Sequence, residues 1–139
     1  MMRYLTTLLT ALFITLAAGA SAGETGSSAR AYIIAPQDGE TVPQTFTVRF
    51  GLSGMGVAPA GVEREGTGHH HLLIDLETLP DLDKPLPATD QILHFGGGQT
   101  ETELTLPPGR HTLQLLMGNY MHVPHDQPVL SEKITIIVE

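Results

Sequence analysis

Hydrophobic and polar residues alternate along several short stretches of the chain, and turn-forming residues separate these stretches. In residues 45–50, Phe46, Val48 and Phe50 alternate with threonine and arginine. A period of two is typical of a β-strand with one buried face. Comparable alternation or short apolar runs occur in residues 32–34, 71–76, 91–95, 100–106, 111–117 and 134–138. The pattern therefore predicts seven strands.

The same pattern predicts the fold class, because no ten-residue window has a helical period. Seven short strands with turn signals between them favour an all-β domain, specifically an immunoglobulin-like antiparallel β-sandwich. A small antiparallel barrel is the alternative all-β fold. The glycine-rich turn at residues 96–99 predicts that residues 91–95 and 100–106 form a hairpin.

The first residues have a different character from the rest of the chain. Residues 5–18 are apolar apart from four threonines, Arg3 precedes them, and the small residues Ala20, Ser21 and Ala22 follow. This order is typical of a secretory signal peptide, with an uncleaved anchor as the alternative. We therefore expect a signal peptide at 1–22, a flexible leader at 23–30 and one β-sandwich domain at 31–139. The expected location is periplasmic or secreted, with no membrane span after cleavage.

Composition narrows the possible chemistry. The chain has no cysteine, which excludes disulfides, thiolate zinc sites and cysteine nucleophiles. It has 7 Lys and Arg against 15 Asp and Glu, a balance that argues against nucleic acid as a partner. Neither a nucleophile elbow nor an HExxH motif is present, so an enzyme is not predicted. The 7 histidines are the residues most able to carry chemistry near neutral pH.

Most of these histidines are predicted to meet at one end of the sandwich. The third and sixth strands of such a fold are antiparallel neighbours, so the start of one lies beside the end of the other. His69, His70 and His71 open the third strand, whereas the loop at 118–128 follows the sixth and carries His122 and His125. His94 precedes the glycine turn expected at the same end, and His111 belongs to the opposite end.

This convergence predicts a metal site, because imidazole suits copper, zinc and nickel. Met121 is a candidate soft ligand that would favour Cu(I), whereas Met117 has the parity of a core residue. His70 shares the parity of Leu72 and Ile74, so regular pleating places it on the face opposite to its two histidine neighbours unless a bulge intervenes. The candidate ligands are His69, His70, His71, His94, His122, His125 and Met121.

Four ordered sequence blocks resemble a known family. They are GTGHHHLLID at 66–75, HFGGGQTE at 94–101, LPPGRHTL at 106–113 and HVPHD at 122–126. The chain resembles, over residues 31–139, small exported bacterial domains that are catalogued as a domain of unknown function. The resemblance implies an exported all-β domain and assigns no activity. More loosely, the layout is similar to periplasmic copper-handling β-sandwich proteins, which hold copper at one rim with His and Met.

Two functional hypotheses follow from the sequence. The first is an exported metal-binding module that takes a copper ion, or zinc as the second choice, and meets another periplasmic protein. The second is a metal-free accessory domain that binds a protein or glycan through the loops at 51–68 and 118–128. In that case the histidines would hold the loops by hydrogen bonds. A metal-dependent enzyme is a weaker third hypothesis, since it requires an open coordination position.

Overall fold

A computed structural model describes residues 28–139, which form strands and connections without any helix. No segment in this part of the chain is therefore a helix long and apolar enough to cross a membrane. The predicted signal peptide at 1–22 and residues 23–27 of the predicted leader lie outside the described residues. The strands are β1 (Arg30–Ala35), β2 (Thr41–Val42), β3 (Thr45–Ser53), β4 (Gly56–Val57), β5 (Thr67–Ile74), β6 (Ile92–His94), β7 (Glu101–Thr105), β8 (Gly109–Gly118) and β9 (Ile134–Val138).

These strands form two sheets. The smaller sheet has the order β1-β3-β7, with both pairs antiparallel. The larger sheet has the order β2-β9-β8-β5-β4, and β6 also pairs with β5. Its central pair, β5 and β8, is antiparallel, and His69 lies opposite Gly118 in the register. The predicted neighbourhood of the third and sixth strands is thus confirmed.

The main core lies between the two sheets. β3 contributes Phe46, Val48 and Phe50 to it, as their alternation with exposed residues predicts. The larger sheet contributes, among others, Leu72, Ile74, Leu113, Leu115, Met117, Ile136 and Val138. Met117 is fully buried in this core, which confirms the assignment made from its parity. Because each buried Leu, Ile, Phe or Met side chain contributes about 1.5–3 kcal/mol, this core holds the central strand β5 firmly.

The other face of the β5–β8 pair is also covered. Leu73 and Leu116 point to this outer face and form a second buried cluster with Leu86 and Ile92. Leu86 belongs to the β5–β6 connection, which follows β5 and folds back over the outer face. Strand β5 is therefore covered on both faces, and each of its residues from Gly68 to Ile74 is buried.

The all-β prediction is confirmed, whereas the immunoglobulin-like arrangement stays a prediction. Two short strands, β2 and β4, join the predicted seven. The predicted hairpin at 91–95 and 100–106 is wrong, because β6 pairs with β5 while β7 pairs with β3 in the other sheet. The chain changes sheets between them. Phe95 lies at the start of this crossing, and its buried ring packs edge-on against Phe50 of the opposite sheet.

Candidate metal centre

Strand β5 presents its three consecutive histidines on two faces. His69 and His71 share the outer face with Leu73, while His70 shares the inner face with Leu72. The rings of His69 and His71 lie side by side, with centroids 4.9 Å apart, and only 0% and 1% of these residues is exposed. Regular pleating through the first residues of the strand therefore produces two adjacent, buried imidazoles on one face.

His94 reaches the same place through strand pairing. It lies at the end of β6, directly opposite His71 in the β5–β6 register. Its Nε2 atom is 3.1 Å from Nε2 of His69, and its ring centroid is 5.2 Å from that of His71. His94 is the exposed member of the group. The sequence identified this residue correctly, but for the wrong reason, because the predicted hairpin does not exist.

His122 comes from the connection between β8 and β9. Its Nδ1 atom is 3.1 Å from Nε2 of His69, and its ring centroid is 4.5 Å from that of His94. Its backbone has a φ of 66°, in the left-handed region that a residue with a side chain rarely adopts. Two hydrogen bonds hold its backbone, one donated to the Asn119 carbonyl and one accepted from the Leu86 N–H. This unusual turn directs the imidazole at His69.

The four histidines His69, His71, His94 and His122 are hereafter the four-histidine cluster. One ring nitrogen of each lies within 4.8 Å of those of the other three. A metal bonded to imidazoles at about 2.0–2.1 Å separates the ligand nitrogens by about 3–4 Å, so small ring rotations suffice to surround an ion. No Asp or Glu of residues 28–139 joins this cluster, and the candidate ligand set is purely imidazole.

Glycines make room for the rings. A Cβ atom at Gly96 would lie 2.3 Å from Cε1 of His94, and a Cβ atom at Gly118 would lie 2.7 Å from Cε1 of His71. Both distances are shorter than any ordinary contact between heavy atoms. The histidine rings thus occupy the space that side chains at these two positions would fill, and each glycine is needed for close approach.

The environment keeps the buried imidazoles neutral. Burial, followed by the repulsion of neighbouring histidines, lowers the pKa of His69 to about 4 and that of His71 to about 3. Burial and the neighbouring His122 also lower the pKa of His94. A neutral imidazole offers a lone pair to a metal, whereas a protonated one does not. These ligands are therefore ready to bind a cation at neutral pH without first losing protons.

Some buried nitrogens of the cluster lack a hydrogen-bond partner. Among residues 28–139, none lies within 3.5 Å in hydrogen-bonding geometry of Nδ1 of His69 or of either ring nitrogen of His71. Leaving a buried polar group unpaired costs about 1–3 kcal/mol. Coordination of an ion by His71 would satisfy one of these nitrogens. The donor set and the unpaired atoms both fit a bound metal.

Two of the predicted histidine ligands lie outside the cluster, and the third remaining candidate, Met121, is exposed. His70 is fully buried on the inner face of β5, where its ring packs 5.1 Å from that of Phe50, and burial lowers its pKa to about 4. His125 donates from Nε2 to the Thr67 carbonyl, and its ring packs against Gly68 instead. Met121 is 52% exposed. Strand alternation separates His70 from the cluster, and the hydrogen bond to the Thr67 carbonyl orients the His125 ring.

His111 lies apart from the cluster, as predicted. Its Nδ1 atom is 2.7 Å from a carboxylate oxygen of Asp75, and its Nε2 atom is 2.8 Å from the Pro107 carbonyl oxygen. Burial lowers the pKa of this ring, but the hydrogen bonds to Asp75 and Pro107 outweigh burial and raise it. Both ring nitrogens face acceptors, an environment that favours the protonated ring, which can donate to both, over a ring that offers a lone pair to a metal.

Comparison with known proteins adds a family but no activity. No curated protein matches the chain. Among solved structures, the chain is similar to the endo-beta-1,4-mannanase from Thermotoga petrophila, with a TM-score of 0.49 and 18% sequence identity. The match covers 85% of this chain and 21% of that one, and a likeness of this size carries no argument about function. A family model described as a domain of unknown function, DUF4399, matches residues 48–139. This span is most of the chain, and the protein therefore belongs to the DUF4399 family.

Proposed function

We propose that this protein is an exported metal-binding module that holds one copper ion in the four-histidine cluster. The observation that carries the proposal is the convergence of four imidazole nitrogens within 4.8 Å, from three separate segments of the chain. Two of the rings are fixed on a strand that is buried on both faces. Such preorganisation lowers the cost of assembling a coordination sphere.

The donor set favours divalent copper. Affinities of nitrogen sites for divalent metals rise along the first row to a maximum at Cu(II), with Zn(II) below it. The four donors of the cluster are all imidazoles, which lack the soft sulfur that favours Cu(I), and Met121 is exposed. We therefore expect Cu(II) to bind most tightly and Zn(II) to be the second choice. The role proposed is binding of the ion, without catalysis.

Competition titration of the mature domain tests this function. We expect Cu(II) binding in the micromolar range or tighter, and a loss of about 10-fold or more in His94→Ala, which removes the exposed ligand at small cost to folding. His125→Ala is the matched control, because it removes another histidine of the same rim that contacts Thr67 instead of the cluster. An unmodified domain that binds neither Cu(II) nor Zn(II) at pH 7 would overturn the proposal.

The metal-free interaction domain is the second candidate. The observation in its favour is that Nε2 of His69 is 3.1 Å from both His94 and His122, so hydrogen bonds between rings already connect the segments. This candidate predicts protein purified without tags or chelators that contains no metal, and a melting temperature that added copper does not change. The copper proposal predicts the opposite result in both measurements.

Export is the remaining part of the proposed function. It rests on the sequence of residues 1–22, where an apolar run precedes small residues. Expression of the full chain in a bacterium, followed by cell fractionation and mass spectrometry, should give a periplasmic or secreted form that begins near residue 23. Full-length protein confined to the cytoplasmic fraction would contradict it.

A further inference from the structure

Asn119 is placed to control the turn that carries His122. Its side-chain oxygen accepts hydrogen bonds from the N–H groups of Met121, at 2.9 Å, and Val123, at 3.1 Å. Its backbone N–H donates to the Val123 carbonyl at 2.8 Å, and its carbonyl accepts from the His122 N–H at 2.9 Å. One residue therefore makes four hydrogen bonds to the three residues that surround and include the candidate ligand.

The conformation that these bonds enforce is an unfavourable one. A left-handed residue with a side chain costs about 1–2 kcal/mol relative to ordinary backbone. His122 has this conformation, and the segment around it is a loop without an apolar core of its own. Bonds of about 0.5–1.5 kcal/mol each, made by Asn119, offset that cost. Without them the turn would relax toward ordinary backbone angles and the His122 ring would leave His69.

We propose that Asn119 is the positioning residue that sets the metal affinity of the four-histidine cluster through His122. The inference rests on the proposed metal binding and adds a determinant outside the ligands themselves. Asn119 contacts no ion in this scheme. It holds the backbone on both sides of His122, so that Nδ1 remains directed at the position where the ion would be bonded.

The Leu86 N–H supports the same turn from another segment. It donates to the His122 carbonyl at 2.9 Å, and the Leu86 side chain is buried in the outer-face cluster. This bond and the one that the Gly61 N–H donates to the Tyr120 carbonyl attach the turn to neighbouring segments, whereas the four bonds of Asn119 lie within the turn. The side chain of Asn119 is therefore the part of the arrangement that a substitution can test without disturbing the core.

Asn119→Ala and Asn119→Asp test whether the acceptor oxygen of residue 119 holds the turn that carries His122. Alanine removes the oxygen that accepts two N–H groups, and we expect Cu(II) affinity to fall by about 10-fold to 100-fold, as for other supporting partners of metal ligands. Aspartate keeps an acceptor oxygen in the same place, and we expect affinity within about threefold of the unmodified domain. Asp38→Ala is the control, since it removes a side-chain acceptor of a backbone N–H at a distant turn.

A double-mutant cycle distinguishes positioning from general destabilisation. If Asn119 acts through His122, Asn119→Ala lowers affinity in the unmodified domain but not in a His122→Ala background. The electron paramagnetic resonance spectrum of bound Cu(II) should also show one nitrogen fewer in Asn119→Ala. Should that variant fail to fold, Asn119→Ser, which keeps a shorter acceptor, replaces it in the same cycle with a smaller expected loss.

The possible results separate the two proposals. If the unmodified domain binds no copper, the proposed function fails and the role of Asn119 fails with it. If the unmodified domain binds copper and Asn119→Ala binds it equally well with the same nitrogen count, only the positioning role is overturned. Equal losses in the presence and absence of His122 would likewise overturn it, because they would show an effect that does not pass through the ligand.

Discussion

Single residues decide whether the four rings can meet. A histidine needs free space around its ring as well as a favourable direction, and here the space comes from neighbours that have no side chain. The glycines near the rim are thus part of the site although they cannot bind a metal. This can be tested without removing any ligand.

Gly96→Ala should weaken metal binding while leaving the fold intact. The new methyl group would overlap the His94 ring, which is exposed and can rotate away at little cost. We expect Cu(II) affinity about 10-fold lower and a nearly unchanged melting temperature. Gly97→Ala is the matched control, because the three atoms nearest to its methyl group all belong to the flexible side chain of Gln99 and not to a histidine. Equal affinities for the two variants would show that the space beside His94 is not needed.

Whole strands and their connections place the cluster where it is. β5 carries two ligands, β6 adds one by pairing with β5, and the connection after β8 adds the fourth. The opposite end of β5 has its own polar contact, in which Asp75 joins the start of β8 through His111 and the Thr112 N–H. Asp75 has a φ of 52°, so this contact also holds an unusual turn.

Asp75→Asn should destabilise the domain in a pH-dependent way. Asparagine tolerates the left-handed backbone and keeps an oxygen for Thr112, but it removes the charge that faces His111. The pKa of His111 is raised above its ordinary 6.5 in the folded protein. The stabilisation is therefore complete below about pH 6.5 and is lost as pH rises through the folded pKa.

The decrease in the free energy of unfolding of Asp75→Asn should be modest. The carboxylate is 41% exposed, and surface ion pairs contribute less than about 1 kcal/mol. Urea unfolding at pH 6 and pH 9 measures it. The difference between Asp75→Asn and the unmodified domain should be larger at pH 6. A difference of the same size at both values would indicate that the charge of His111 is not involved.

On the scale of the whole molecule, the buried neutral histidines should lower the free energy of unfolding as pH falls. The His111–Asp75 pair has the opposite pH dependence. His69 and His70 have pKa values of about 4 and His71 of about 3, against 6.5 in the unfolded chain. Their contribution is present above pH 6.5 and is lost as pH falls toward the folded values. Within that window, each such histidine lowers the free energy of unfolding by about 1.4 kcal/mol for every unit that the pH falls.

We therefore expect the metal-free domain to unfold at lower urea concentration at pH 5 than at pH 7.5. His70→Leu provides the control, because it removes one of these groups from the inner face without touching the candidate ligands. That variant should reduce the pH dependence by about one proton. Identical pH profiles would mean that His70 is not neutral in the folded protein.

The sequence predicted the positions of side chains correctly where the alternation of a strand sets the face to which they point. Alternation correctly separated His70 from His69 and His71, and antiparallel pairing of the third and sixth strands correctly brought His122 near them. Loops have no such period, so Met121 and His125 could not be distinguished from His122. The hairpin error has a related cause. A glycine turn between two short strands predicts that they pair with each other, whereas β6 pairs with β5 and β7 with β3, long-range partners that local sequence does not specify.

The span between His69 and His122 has a consequence for a chain without cysteine. These residues are 53 positions apart, and a metal bonded to both would be a reversible cross-link between them. A covalent bridge closing a loop of that length lowers the entropy of the unfolded chain by the equivalent of about 4 kcal/mol. Copper would thus supply the kind of constraint that disulfides supply in exported proteins. Unlike a disulfide, this constraint would be removed by acid or by a chelator.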